Sequence, residues 1–395
     1  MSTYCVHCSS SAYTGAFPEA AAAEGRTKAR ATEEDAFRAA TSLVRFLPST
    51  TDVSDRDNPL RTWQVEYESL CRQAIDVLNN LHEEATSSPE QLHEASSDGV
   101  TMGKYSGAVH HGDGLFSTVY KATSSASTLV ALKVTTPAVM TPPHNSEREG
   151  RILHEARGSQ VVPLLETFSQ SESRLVLVFP FLPYDLERLL AQGAVSEKQV
   201  KSLLRDLFQA LAHVHSIGII HRDVKPSNLL LQSPAGPAYL ADFGIAWSPT
   251  YDGSEPTNQK ITDVGTTSYR PPELLFGHRS YDESLDLWAA GCVAAEAATL
   301  TNVSLFDSGP VGSELALIQS IFSSLGTPNL DVWPEAASFS DWGKMDFREY
   351  PQRPWADLIP KVDDDARDLV SKLVRYESAS RLRAAEAVSH PFLTR

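Results

Sequence analysis

The run His221-Arg222-Asp223-Val224-Lys225-Pro226-Ser227-Asn228, followed fourteen residues later by Asp242-Phe243-Gly244, constrains this chain more than any other feature. The residue types suit transfer of a phosphoryl group. Such chemistry needs a carboxylate that orients the attacking hydroxyl and takes its proton, and oxygen ligands that hold magnesium beside the phosphates. Asp223 suits the first task, Asn228 and Asp242 the second. A D-F-G tripeptide alone would mean little, but two motifs in register are far stronger.

With 395 residues, the chain has room for a two-lobed domain plus an extension, or for two ordinary domains. Hydrophobic residues make up 42% and charged residues 21%, enough to build a core. Residues 1–99 hold 8 Lys and Arg against 16 Asp and Glu, so half of the net charge of −16 lies there. An acidic balance disfavours non-specific nucleic-acid binding and suits solubility or basic partners. Four cysteines fit a reducing compartment. Cys5-Val6-His7-Cys8 has C-x-x-C spacing, but with no second pair beside it the reading is a tail rather than a zinc site. No basic start with an apolar core marks a signal peptide, and no apolar run reaches the ~18 residues of a membrane span. The expectation is a soluble intracellular chain. No basic cluster decides between nucleus and cytoplasm.

The chain divides at about residue 99. Residues 1–32 lack periodicity and read as disordered. Phe37, Ala40, Leu43, Val44 and Leu47 keep a helical rhythm until Pro48, and Trp63, Tyr67, Leu70, Ala74, Ile75, Leu78 and Leu81 form a second stripe. These predict a helix hairpin packed on the main domain or on itself, or a pair that binds a partner. Residues 86–99 read as a linker. From Tyr105, short β-branched runs such as Leu129–Val134 and Leu175–Phe179 predict a small antiparallel sheet. Beyond Tyr184 helical periodicity takes over, as in Val200, Leu203, Leu204, Leu207, Leu211, Val214 and His215. This is an α+β order: a small β-rich lobe over about 104–182, then a helical lobe over about 183–395.

From about Tyr105 to Leu393 the chain resembles the eukaryotic protein kinases, and a two-lobed fold using ATP and Mg2+ is what the resemblance implies. H-R-D-x-K-x-x-N and D-F-G stand for the catalytic loop and the metal-binding turn. Gly112-Asp113-Gly114-Leu115-Phe116-Ser117-Thr118-Val119 resembles the glycine-rich loop over the phosphates, with Ser117 in place of the third glycine. Gly112, Gly114, Ser117 and Val119 would contact the nucleotide there. Val130-Ala131-Leu132-Lys133 resembles V-A-I-K, so Lys133 would hold the phosphates with a glutamate partner. Glu149 is chosen because Ile152 and Leu153 follow three and four residues on; Glu147 is the alternative. Gly150 and Pro142-Pro143 leave this helix short and poorly supported by propensity. Phe179-Pro180-Phe181-Leu182 resembles the hinge, with Phe179 behind the adenine and the backbone of Pro180 and Leu182 bonding to it. Lys225 would steady the transferring phosphate, a serine/threonine pattern, and Thr266 would bond to the catalytic Asp223. Glu273 would pair with Arg381, and Asp286 would brace the catalytic loop, with His221 and Arg222 as scaffold.

Two segments resemble the cyclin-dependent kinase branch: Ile318-Gln319-Ser320-Ile321-Phe322-Ser323-Ser324-Leu325-Gly326-Thr327-Pro328 with Val332-Trp333-Pro334, and Tyr269-Arg270-Pro271-Pro272-Glu273-Leu274-Leu275. Where that branch carries P-S-T-A-I-R-E, this chain has His144-Asn145-Ser146-Glu147-Arg148-Glu149. The branch's activating threonine falls on Ile261; Thr262 is adjacent, and Asp263 is already negative. Gly265 stands where proline-directed relatives carry a bulky residue, which points to a relaxed preference for proline after the target. The expectation is a monomer that needs no cyclin and acts on protein, most similar to the single-subunit fungal kinases that activate other cyclin-dependent kinases. The alternatives are a pseudokinase scaffold, a small-molecule kinase, and a proline-directed kinase with a cyclin-like partner. The complete ionisable set argues against the scaffold.

Overall fold

Alternation along Leu129–Thr135 sets the first layer, because successive side chains on a strand point to opposite faces. The computed structural model describes residues 99–394 apart from positions 159, 172, 310 and 311. The expectations for residues 1–98, namely the tail, the C-x-x-C pair, the two helices and the linker, lie outside the described residues. Six antiparallel strands form one sheet in the order β1-β2-β3-β4-β6-β5. They are β1 (Val100–Met102), β2 (Tyr105–Gly114), β3 (Ser117–Thr123), β4 (Leu129–Thr135), β5 (Glu166–Ser171) and β6 (Arg174–Pro180). Val130, Leu132 and Val134 of β4 join Val176 and Val178 of β6 in a buried cluster on one face. Lys133 therefore projects from the other face. Register runs Gly112 to Val119, Val119 to Lys133 and Lys133 to Leu177, so these four share that face in one row. Ala131 opposite Phe179 makes the next row.

Helix α1 (Ser146–Glu155) covers this face. Ile152, Leu153 and Leu177 belong to one buried cluster. The helix is ten residues long despite Gly150 and the preceding prolines, because Asn145 caps it, its side chain accepting from the Arg148 N–H at 2.8 Å. Burial of Glu149, Ile152 and Leu153 at i, i+3 and i+4 supplies what propensity lacks.

The second lobe is built on α2 (Leu186–Ala191), α3 (Glu197–Ser216), α4 (Ser284–Ala298), α5 (Glu314–Leu325) and α6 (Asp364–Leu373), with shorter helical turns between. Ser196 and Gln199 close a capping box on α3, whose Val200, Leu203, Leu204, Leu207, Phe208, Leu211 and Val214 are buried. Helix α4 is apolar nearly all round and accordingly lies inside. Gly291 lets α6 approach it closely, since a Cβ there would sit 2.8 Å from that of Leu373. The segment that resembles the cyclin-dependent kinase insert contributes Trp333, wholly buried, to an aromatic cluster with Phe276, Phe339, Trp342 and Tyr376. A small sheet of β7 (Tyr184–Asp185), β8 (Leu229–Leu231) and β9 (Ala238–Leu240) completes the frame. Among the described residues no helix is long and apolar enough to cross a membrane.

Candidate active site

Pairing of Leu229 with Leu240 in the β8–β9 ladder sets Asn228 beside Ala241, one residue before Asp242. The Ala241 N–H donates to the Asn228 carbonyl at 2.9 Å. Both ends of this hairpin are held. Asp286, fully buried on α4, accepts from the His221 and Arg222 backbone N–H groups, each at 2.8 Å, and pairs with His215 Nε2 at 2.9 Å. Burial raises its pKa, but the His215 bond and charge and the loop's donors hold it below the ordinary carboxylate value. His221 reaches the Ala241 carbonyl at 2.9 Å and meets the Phe243 ring edge-on at 4.7 Å. Arg222 and Asp242 both take left-handed torsions, φ 69° and 62°, which these contacts maintain. The bracing role expected of Asp286 is present. His215, counted from periodicity as a core position, is its imidazole partner.

Asp223 is fixed on both oxygens. Oδ1 accepts from the Thr266 N–H at 3.0 Å and the Thr266 hydroxyl at 2.8 Å. Oδ2 takes Asn228 Nδ2 at 3.1 Å and Lys225 Nζ at 2.9 Å. Lys225 also donates to Thr266 Oγ1 at 2.9 Å. Thr266, some forty residues on, thus joins Asp223, Lys225 and Asn228 of the catalytic loop in one network.

Across the cleft, Lys133 Nζ bonds to both oxygens of Glu149, at 2.7 and 3.0 Å, and to Asp242 Oδ1 at 2.8 Å. Glu149 is the partner; Glu147 is exposed. Burial works to lower the Lys133 ammonium, yet Asp242 and Glu149 outweigh it and hold it above its usual value. The Lys133 charge pulls Asp242 well below the carboxylate range, whereas burial lifts Glu149 against the pull of Lys133. Gly244 leaves room for the triad, since a Cβ there would lie 3.2 Å from Asp242 Oδ1 and 3.7 Å from Lys133 Nζ.

This donor set fits magnesium. Asn228 spends Nδ2 on Asp223, which leaves its oxygen for a cation, and Asp242 is a half-exposed, readily ionised carboxylate. Among the described residues no three carboxylate, imidazole or thiol groups converge on a metal site. The ion would therefore complete its shell from phosphate oxygens and water, as magnesium commonly does.

Gly112 and Gly114 end β2, Ser117 and Val119 begin β3, and Leu115-Phe116 make the turn. The serine that replaces the third glycine is accommodated by Gly114, where a Cβ would lie 2.9 Å from Ser117 Oγ. Phe116 at the tip meets the His144 ring at 4.8 Å. Phe179 and Pro180 end β6 and Leu182 follows two residues on, all partly buried, and the Phe181 N–H is already given to Leu129.

Two readings gain partners in the structure. Asp263, read as a ready negative charge beside the Ile261 position, bonds to Arg270 at 2.7 Å, and the carboxylate on Arg222 is instead Glu255, which sequence reading missed. Gly265, read as relaxing the preference for proline, itself has φ 79° and its carbonyl accepts from Arg270 Nε at 3.0 Å; a Cβ there would come within 2.8 Å of the Arg222 carbonyl, so the position suits glycine. The buried bridge between Glu273 and Arg381 is present at 2.5 and 2.7 Å.

Comparison with known proteins agrees with this geometry. The model for the protein kinase domain matches residues 105–393. The chain is similar to the serine/threonine-protein kinase csk1 of Schizosaccharomyces pombe, 36% identical over 274 residues, 68% of this chain and 88% of that protein. It is also similar to cyclin-dependent kinase 20 of Danio rerio, 36% identical over 252 residues, 63% of this chain and 71% of that protein. The Homo sapiens protein of the same name is 35% identical over 252 residues, 63% and 70% of the respective chains.

Proposed function

The chain belongs to the protein kinase family, as a serine/threonine kinase of the cyclin-dependent kinase branch that uses ATP and Mg2+, and on that premise we propose that it phosphorylates other cyclin-dependent kinases as a single chain. The proposal has no cyclin and no phosphate at the Ile261 position. The observation that carries it is the seated α1. In place of P-S-T-A-I-R-E this helix begins at its own Asn145 cap, the Asn145 N–H bonds to the Gly244 carbonyl at 3.1 Å, and Glu149 reaches Lys133. Contacts supplied by this chain support a helix that needs no clamp. Similarity to a fungal serine/threonine kinase supports the same reading.

In the proposed mechanism, Lys133 holds the α- and β-phosphates, and Gly112, Gly114, Ser117 and Val119 cover the nucleotide. Phe179 lies behind the adenine, and the Pro180 carbonyl and Leu182 N–H bond to its edge. Asn228 and Asp242 would hold magnesium, which would supply positive charge beside the phosphate oxygens. Asp223 accepts a proton from the serine or threonine hydroxyl of the protein substrate. Its carboxylate offers about four acceptor positions, and Thr266, Asn228 and Lys225 fill them in the absence of substrate. In this mechanism Lys225 is the one that leaves. Its swing to the transferring phosphate vacates Oδ2 for the hydroxyl, so phosphate stabilisation and proton acceptance are coupled.

Initial rates of the purified single chain on a cyclin-dependent kinase activation-segment peptide and on a Ser-Pro peptide test the proposal. Preference for the first without added cyclin is expected. Preference for the Ser-Pro peptide, or a rate that appears only with a cyclin, would rule it out.

A further inference from the structure

Arg222 lies between the catalytic Asp223 and the scaffold His221, and its side chain is completely buried. Its Nε donates to the Ile245 carbonyl at 2.6 Å, and its Nη1 to Tyr281 Oη at 3.0 Å and Glu255 Oε1 at 3.2 Å. A second buried guanidinium, Arg148 of α1, stands in the same charge field, next in sequence to Glu149. Burial and then the Arg222 charge push Arg148 below its ordinary value, while Glu255 pushes back. Glu255 itself is anchored, because Trp247 Nε1 donates to its backbone carbonyl at 2.9 Å. Glu255, from the segment that runs from Asp242 to Glu273, therefore bonds to one guanidinium and acts through its charge on the second. Arg148 Nε, Arg222 Nη2 and Glu255 Oε2 are buried and have no hydrogen-bond partner among the described residues.

A buried cation left without a counter-charge is strongly unfavourable, and a pair of them would drive α1 and the catalytic loop apart. Among the described residues, the acidic side chain bonded to Arg222 comes from the segment that follows Asp242. We propose that Glu255 is a built-in anionic clamp: its carboxylate seats the activation segment against Arg222 and Arg148, so that full activity needs no phosphoryl group on that segment. Glu255 is a positioning residue. It touches neither nucleotide nor substrate, but it acts on the residue preceding each of the two working carboxylates, Arg148 before Glu149 and Arg222 before Asp223. This inference rests on the serine/threonine kinase reading and names the group that replaces activating phosphorylation.

The test uses the full chain and a generic serine/threonine peptide, so that its outcome does not depend on the preferred substrate. Wild-type protein is treated with a broad-specificity phosphatase until its intact mass equals that of the unmodified chain. Its rate is expected to stay within about two-fold of the untreated rate. Glu255→Gln, which keeps shape and removes charge, is expected to lower kcat by up to about a hundred-fold, the scale of a displaced catalytic group. KM for ATP should change far less, and Glu255→Asp should restore part of the loss. Inactivation of the wild type by phosphatase overturns the clamp, even if the variants fail to fold. A Glu255→Gln rate equal to wild type, or Glu255→Asp no better than Glu255→Gln, overturns it as well. A wild-type chain inactive before treatment would instead overturn the kinase reading on which the clamp stands.

Discussion

Two buried charge clusters meet at α1, and their signs are opposite. In the cleft, Lys133 faces two carboxylates, Glu149 and Asp242. Under the activation segment, Arg148 and Arg222 face one carboxylate, Glu255. The first cluster has an unspent negative charge and opens on the cleft through half-exposed Asp242, where a magnesium ion and phosphates belong. The second has an unspent positive charge and is closed, with Arg148 and Arg222 buried. One is arranged to exchange partners during a reaction; the other is arranged to keep them.

The comparison breaks most visibly if the cleft cation is removed. Lys133→Met leaves Glu149 buried without a partner and is expected to destabilise folding by about 3–5 kcal/mol. It should also lower kcat/KM by about 10²–10³-fold through loss of a phosphate-directed charge. Urea melts and steady-state kinetics measure both.

A carboxylate buried without a cation sharpens the contrast. Glu296 accepts from Tyr269 Oη at 2.8 Å and feels Glu187 rather than a positive neighbour. Burial lifts it from 4.5 to about 7, with the Tyr269 bond opposing. A raised folded-state value means that the native state holds its proton where the unfolded chain has lost it. Stability from this group is therefore full below about pH 4.5 and is lost as pH rises through about 7. The loss is at most about 3 kcal/mol. Melts at pH 5 and pH 8 should show a smaller decline for Glu296→Gln than for the wild type.

Backbone supplies a smaller effect. Gly265→Ala places a Cβ 2.8 Å from the Arg222 carbonyl at φ 79°. It is expected to cost about 1–3 kcal/mol and lower Tm. Smallest is Arg148→Met. Removing one of two like charges relieves repulsion while losing a bond to the Pro143 carbonyl. Unfolding free energy should stay within about 1 kcal/mol of wild type, against the large loss for Lys133→Met.

The two clusters also differ in how far they could be read from sequence. Lys133, Asp223, Asn228 and Asp242 stand in contiguous motifs, and the strands that join them, β4 and the β8–β9 hairpin, pair locally. The α+β order followed from periodicity and the insert around Trp333 from resemblance, whereas the burial of Trp333 is seen only in the structure. Glu255 stands in no motif. It meets Arg222 only through the path of an irregular segment whose contacts include a buried lysine, Lys260, stacked on Trp247 at 4.6 Å and donating to the Tyr281 carbonyl at 2.6 Å. Asp263, nearer to the expected position, was drawn away by Arg270. The length of α1 was hidden for another reason: its stability comes from a cap and from burial, which propensity does not register.

The most direct test of the whole account is transfer of the γ-phosphate of ATP to serine or threonine by the purified chain with Mg2+, beside its Asp223→Ala variant. The account expects transfer by the single chain and a fall of about 10²–10⁴-fold in the variant, since the hydroxyl loses its proton acceptor. Equal rates for the two proteins would contradict it.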